Sequence, residues 1–269
     1  MATTYIDAHC HVQFEPYDED REALLAQMDE QGVAAVAVGC DLESSRKAVA
    51  LAREHEHIYA AVGVHPTDTA ESFDTDELLA LAKHPKVVAI GECGLDYYRP
   101  TTVDEAEKER QKLAFSRQIM LAAELEKPLI IHARPSKGTQ DAYHDVLALL
   151  REAKEMHPKL HGDVHFFVGS VAEAEAFVAL GFTLSFTAVI TFARDYDAVI
   201  RAVPLTSILA ETDAPYVAPA SRRGERNDPL AVIDVVAEIA RIRGEDPESV
   251  RLALLDNTRR VFGLPVADA

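Results

Sequence analysis

Eight short apolar runs rich in β-branched residues recur along the chain, at Thr4 to Ala8, Ala34 to Cys40, Tyr59 to His65, Val87 to Gly91, Pro128 to His132, Asp163 to Val168, Phe182 to Phe186 and Ser207 to Glu211. Between them lie segments with apolar residues at helical spacing: Asp20 to Gln31, Ser44 to His55, Asp76 to Lys83, Asp104 to Leu125, Asp141 to Met156 and Val171 to Leu180. Several stop at Gly32 or Gly181, or run into Pro85, Pro128 or Pro158, as helices do. The runs are too continuously apolar to be half exposed, so they belong to a parallel sheet covered by helices. Two architectures satisfy that pattern, a closed (β/α)8 TIM barrel and an open doubly wound sheet. The expectation is an α/β fold with a single barrel over 1–269. The 269 residues match the roughly 250 of a typical barrel, and no linker or low-complexity stretch divides them. In a barrel, polar functional residues gather at the carboxyl ends of the strands.

Composition narrows the function classes. Against 27 Lys+Arg stand 45 Asp+Glu, a formal net charge of −18 with the 11 His neutral. A broad basic groove gripping long nucleic acid is therefore excluded, and any phosphate-bearing substrate has to be caught locally. No apolar run approaches the ~20 residues of a membrane helix, and MATTYIDAHCHV lacks a basic segment followed by an apolar core. Cys10, Cys40 and Cys93 sit inside apolar runs without the CxxC spacing of a zinc knuckle. Together these features lead us to expect a cytoplasmic protein with reduced thiols, no membrane association and no obligate protein partner.

The strand ends carry the chemistry. The first ends in Asp7-Ala8-His9-Cys10-His11, where a period of two puts Asp7, His9 and His11 on one face. The fourth carries Glu92 just after its apolar run, with Gly94 placed for a tight turn. The fifth carries His132, the sixth His165, and the eighth ends in Asp213 with Pro215 breaking the strand. In a barrel these six residues meet in one mouth. Four imidazoles and two carboxylates exceed what one four-coordinate metal uses, and they suit two divalent ions bridged by a carboxylate. Such a pair, roughly 3.5 to 4 Å apart, stabilises both the attacking and the leaving oxygen of a displacement, which is hydrolytic chemistry. No GxGxxG fingerprint points to redox work.

At these residues the sequence resembles the TatD family of metal-dependent deoxyribonucleases, within the amidohydrolase superfamily. The matching segments are DAHCH (7 to 11), VGVHP (62 to 66), IGECGLDYY (90 to 98), IIHAR (130 to 134), HFFVG (165 to 169), AETDAPYVAP (210 to 219), RGERNDP (223 to 229) and NTRRVFGL (257 to 264), covering nearly the whole chain. The resemblance implies the barrel, and it implies that His9, His11, Glu92, His132, His165 and Asp213 are the metal ligands. Two departures fall beside ligands: Phe-Phe-Val-Gly follows His165, where a small or polar residue is more usual before the Gly, and Ala133 stands where Ser or Cys is common. No Lys ends a strand to serve as the carboxylated bridge of superfamily relatives, so Glu92 takes that role.

From this reading His9, His11 and Asp213 hold one ion, His132 and His165 the other, and Glu92 bridges them. Asp213 and Glu92 are the catalytic carboxylates, with Asp213 as general base and later proton donor. His65 and Arg134 are the expected substrate-binding residues, His65 for a phosphate or as a further ligand. Arg194, Arg222, Arg223 and Arg226 are additional phosphate candidates, Tyr97 and Tyr98 can stack on a base, and Asp7 is placed to orient a ligand imidazole. The cofactors are two divalent ions, Mg2+, Mn2+ or Zn2+: imidazoles favour Zn2+ or Mn2+, whereas the family is described as Mg2+-dependent. The expected function is metal-dependent hydrolysis of phosphodiesters at accessible DNA or RNA ends. Two rivals remain, an ester or amide hydrolase such as a deacylase acting on aminoacyl-tRNA, and a binding protein whose metals are structural.

Overall fold

The computed structural model describes residues 3–68, 74–99 and 104–265. Eight parallel strands pair in sequence order: Tyr5–Cys10 (β1), Val33–Val38 (β2), Ile58–Val62 (β3), Val87–Asp96 (β4), Leu129–Arg134 (β5), Gly162–Val164 (β6), Phe182–Phe186 (β7) and Ile208–Ala210 (β8). Helices Arg21–Glu30 (α1), Leu42–Glu54 (α2), Thr75–Ala82 (α3), Glu105–Glu124 (α4), Asp141–Met156 (α5), Val171–Ala179 (α6) and Asp197–Ala202 (α7) alternate with the strands; Val232–Arg243 (α8) and Pro247–Phe262 (α9) follow β8. The sheet closes on itself just past β8. The His11 N–H donates to the Ala214 carbonyl at 2.7 Å and the Asp213 N–H to the His9 carbonyl at 2.9 Å. The barrel is therefore the architecture, and the open sheet is excluded.

Successive strand residues alternate between two apolar clusters. Ala35, Ala37, Ile131 and Leu184 pack with the helices, among them Leu25 of α1 and Ala48 of α2. Val36, Ala61, Ile130 and Leu209 form a second cluster, which fills the barrel and is plugged from below by Leu255, Val261 and Phe262 of α9. α9 is tied there by its side chains: Arg251 Nη1 donates to the Thr4 carbonyl at 2.7 Å and Asn257 Nδ2 to the Ile208 carbonyl at 3.0 Å. With the lower end blocked, the carboxyl ends of the strands are the open face.

Two strands break their alternation where the site lies. β1 shifts register between Asp7 and Cys10, and β4 between Ile90 and Cys93, so His9 and Glu92 each sit within a bulge that re-aims a side chain. Ile6 and Ala8 consequently pack inside the barrel while Cys10 packs with the helices. Asp7 does not orient an imidazole, contrary to expectation. Its carboxylate accepts from the Thr212 N–H at 2.8 Å and the Thr212 hydroxyl at 2.5 Å, fastening the closing seam. β4 also continues beyond Gly91, where the sequence suggested a stop. Gly94 is needed there for close approach, since a Cβ at that position would lie 2.0 Å from the His132 carbonyl oxygen.

No helix among the described residues is long and apolar enough to cross a membrane.

Candidate metal centre

All six expected ligands converge at the carboxyl ends of the strands, and Glu92 stands at their centre. Its Oε1 lies 2.9 Å from His132 Nδ1, 3.0 Å from His165 Nε2 and 3.5 Å from His65 Nε2. Its Oε2 lies 3.6 Å from His9 Nε2 and 3.9 Å from His11 Nε2. Asp213 Oδ1 faces the second group, 3.4 Å from His11 Nε2 and 3.7 Å from His9 Nε2. One carboxylate thus separates two clusters of imidazole nitrogens. His165 follows β6 directly rather than lying within it, and the three-residue strand ends at Val164.

Three of the rings have a polar group behind them. His11 Nδ1 donates to the Val38 carbonyl at 2.8 Å, which leaves Nε2 as its free lone pair. His132 Nε2 donates to Asp96 Oδ2 at 3.0 Å, leaving Nδ1 turned toward Glu92. His165 has Glu211 Oε1 3.3 Å from its Nδ1, and that carboxylate is itself fixed by the Phe166 N–H at 2.7 Å and the Ser185 hydroxyl at 2.7 Å. Phe166 and Asp213 adopt left-handed backbone, with φ of 46° and 52°, as residues over-determined by their surroundings do.

Burial and charge make the site suitable for cations. Glu92, Glu211 and Asp213 are 4%, 0% and 9% exposed. Among the described residues, the ion pairs of these three carboxylates are all to imidazoles and none is to Lys or Arg. Burying carboxylates without a fixed cation is costly, and divalent ions among imidazole lone pairs offset that cost. His9 Nδ1, His65 Nε2 and His165 Nδ1 are buried without a hydrogen-bond partner. Ligand atoms of His9, His11 and Glu92, and of His65, Glu92 and His132, lie within 4.8 Å of one another in each trio, the spacing of a shared ion. Although burial works against its charge, the His165 and His65 imidazoles hold the Glu92 carboxyl well below the usual carboxylate range. Asp96 is likewise ionised: burial opposes it, but the His132 hydrogen bond brings it down to about 2.

His65 joins the mouth as expected. Its Nδ1 lies 2.7 Å from the Thr67 hydroxyl and 3.2 Å from the Thr67 amide nitrogen, which leaves Nε2 facing the site. Burial, with Glu92 opposing, pushes this imidazole down to about 3 and keeps it neutral. Arg134 ends β5 with its guanidinium 4.3 Å above the Tyr98 ring. Tyr97 is buried, and its hydroxyl donates to Asp145 at 2.8 Å, so it is not a stacking surface. Three of the loop arginines are occupied by carboxylates: Arg194 by Glu238, Arg222 by Asp228 and Arg226 by Asp20.

Sequence reasoning missed Asp96, Glu211 and Cys40. Asp96 was accessible, because Glu92, Gly94 and Asp96 share one face at a period of two. Cys40, expected only as a reduced thiol within an apolar run, places its Sγ 3.5 Å from Glu92 Oε2. The Asp96 contact yields a prediction. Asp96→Asn should weaken Mn2+ affinity about tenfold, since partners that orient ligand imidazoles are worth 10–100-fold. Isothermal titration measures it, and unchanged affinity would show that His132 needs no such partner.

Comparison with known proteins agrees with this architecture. The family model described as TatD related DNase matches residues 6–263. A Bacillus subtilis protein named as metal-dependent hydrolase YabD is 36% identical over 95% of this chain and 98% of its own. A Cronobacter sakazakii protein named 3'-5' ssDNA/RNA exonuclease TatD is 36% identical over 95% of this chain and 97% of its own. The crystal structure of YjjV, a TatD homologue from Escherichia coli, superposes with a TM-score of 0.85 at 32% identity, covering 98% of this chain and 100% of that one.

Proposed function

The chain belongs to the TatD related DNase family of metal-dependent hydrolases, and from that membership we propose that it removes nucleotides from accessible DNA or RNA ends by phosphodiester hydrolysis. The whole chain, 1–269, acts as one hydrolase unit in the cytoplasm, a reading supported by the three unpaired cysteines.

The position of Glu92 carries the reading, with Oε1 2.9 Å from His132 Nδ1 and Oε2 3.6 Å from His9 Nε2. We assign His9, His11 and Asp213 to one divalent ion and His132 and His165 to a second, with Glu92 shared. Mn2+ and Zn2+ suit the imidazoles, Mg2+ the carboxylates. When bound, such ions polarise a phosphodiester and bring the pKa of water near neutrality. The remaining work falls to the chain. Asp213 Oδ1, at the open side of the first group, accepts the proton of the attacking water and returns one to the leaving oxygen. The His65 Nε2–H is a neutral donor for a phosphate oxygen. Arg134 holds a neighbouring phosphate without a fixed basic groove, which reconciles an anionic substrate with a chain of charge −18.

End-labelled single-stranded DNA, the matching RNA and an aminoacyl-tRNA, each with Mg2+, Mn2+ or Zn2+, test the assignment. Stepwise release of nucleotides that stops on chelation is expected. Deacylation of the tRNA with the DNA and RNA ends left intact would overturn it in favour of ester hydrolysis at the same centre.

A further inference from the structure

Three aromatic side chains among the described residues are more than a third exposed, Tyr98 at 52%, Tyr216 at 50% and Phe192 at 38%, and all three lie at the mouth of the barrel. Tyr98 comes two residues after β4, Phe192 six after β7 and Tyr216 six after β8. The large apolar side chains exposed on the outer helices are aliphatic: Leu113, Met120, Met156 and Leu252. The rim also exposes Val168, four residues after β6, but its three exposed rings set it apart from the outer helices.

Two of the rings carry an arginine. The Arg134 guanidinium lies 4.3 Å from the Tyr98 centroid, and that of Arg223 lies 3.8 Å from the Phe192 centroid. Neither arginine pairs with a carboxylate among the described residues, whereas Arg194, Arg222 and Arg226 in the neighbouring loops all do. The pairs are anchored to the site and to each other's elements. The Tyr98 N–H donates to Asp96, the partner of His132, at 2.9 Å. The Ala220 N–H donates to Thr191 at 2.8 Å, joining the loop of Arg223 to the turn that bears Phe192.

We propose that these two arginine–aromatic pairs, Tyr98 with Arg134 and Phe192 with Arg223, are base-stacking platforms that hold unpaired nucleotides on either side of the metal centre. A flat ring backed by an uncompensated guanidinium offers a π-face to a base and positive charge to its phosphate, without reading sequence. Bases inside a duplex have both faces covered, so the platforms engage only nucleotides free of pairing. The inference rests on the nuclease reading and adds the residues that recognise the nucleotide beyond its phosphate.

The probe is an oligothymidylate compared with the same strand carrying 5,6-dihydrothymidine at its terminal positions. Saturation removes the planar face and keeps the hydrogen-bonding edge. Wild-type protein should favour the planar strand roughly tenfold in kcat/KM, about the effect of losing one stacked base. Tyr98→Ala/Phe192→Ala should reduce that preference to about twofold or less, and the ring-keeping Tyr98→Phe/Phe192→Tyr should retain it, which separates stacking from misfolding. A preference that survives the double alanine variant, or its absence in wild-type protein, would overturn the platforms while leaving the nuclease reading intact. If wild-type protein cuts neither strand with any metal, the nuclease reading falls and the inference with it.

Discussion

Replacing Glu92 by alanine should lower kcat/KM on end-labelled single-stranded DNA about 10^3-fold and remove most of the stabilisation that divalent ions confer. Both effects have one origin. Among the described residues, Glu92 is the only side chain whose two oxygens face both imidazole groups, at 2.9 Å from His132 Nδ1 and 3.6 Å from His9 Nε2. Its loss takes several kcal/mol of charge stabilisation from the reacting phosphodiester, and about 1.4 kcal/mol corresponds to a factor of ten in rate. Stability reports on the ions separately. An ion present at 100 times its Kd adds ~2.7 kcal/mol to the folded state. At ~2–4 °C per kcal/mol for a chain near this size, metal should raise the Tm of wild-type protein by about 5–10 °C. In Glu92→Ala that rise should fall by at least half. A variant that cuts DNA normally, or that gains as much stability from Mn2+ as wild type, would remove Glu92 from the centre.

The same carboxylate illustrates what a sequence reveals. Strands of a parallel barrel are buried on both faces, so they stand out as continuous apolar runs, and Phe182–Phe186 is bounded in the structure as it is in the sequence. His, Glu and Asp interrupting such runs at their carboxyl ends have few other reasons to be there, which is why the six central residues were legible. Strand ends were harder to place because glycine has two meanings. Gly94 reads as a turn, yet it permits β4 to run on to Asp96 against the His132 carbonyl. The bulge at Asp7–Cys10 adds a residue to β1 without any mark in the hydrophobic pattern, so the share of the site assigned to Asp7 went to the barrel seam instead. Glu211 was invisible for a further reason. Its partners Phe166 and Ser185 are brought to it only by the closing of the barrel. Ion pairs of the loop arginines arise in the same way, which left Arg223 to be distinguished from Arg194, Arg222 and Arg226 by structure alone.

Substitutions at Asp213 should separate the two roles proposed for it, holding an ion and moving the proton. Asp213→Asn should lower kcat by about 10^2- to 10^4-fold, the usual worth of a positioned general base, while most of the metal-dependent rise in Tm remains. Asparagine keeps the carbonyl oxygen that faces His11 Nε2 at 3.4 Å in the native residue, but its amide accepts no proton. It also tolerates the φ of 52° found here, so the backbone contacts survive, the N–H to the His9 carbonyl and the carbonyl to the Tyr216 N–H, both at 2.9 Å. Alanine tolerates that conformation less well. Asp213→Ala should therefore match the asparagine variant in lost activity and lose a further ~1–2 kcal/mol of stability without metal, read as a Tm about 3–6 °C lower. Activity retained by Asp213→Asn above a tenth of wild type would place the proton acceptor elsewhere. Loss of the metal-dependent rise in Tm in Asp213→Asn would show instead that this carboxylate serves first as a ligand. The two variants together decide between those roles, because the native side chain is placed for both: Oδ1 faces the His9 and His11 imidazoles, and the residue, 9% exposed, stands at the open face of the barrel.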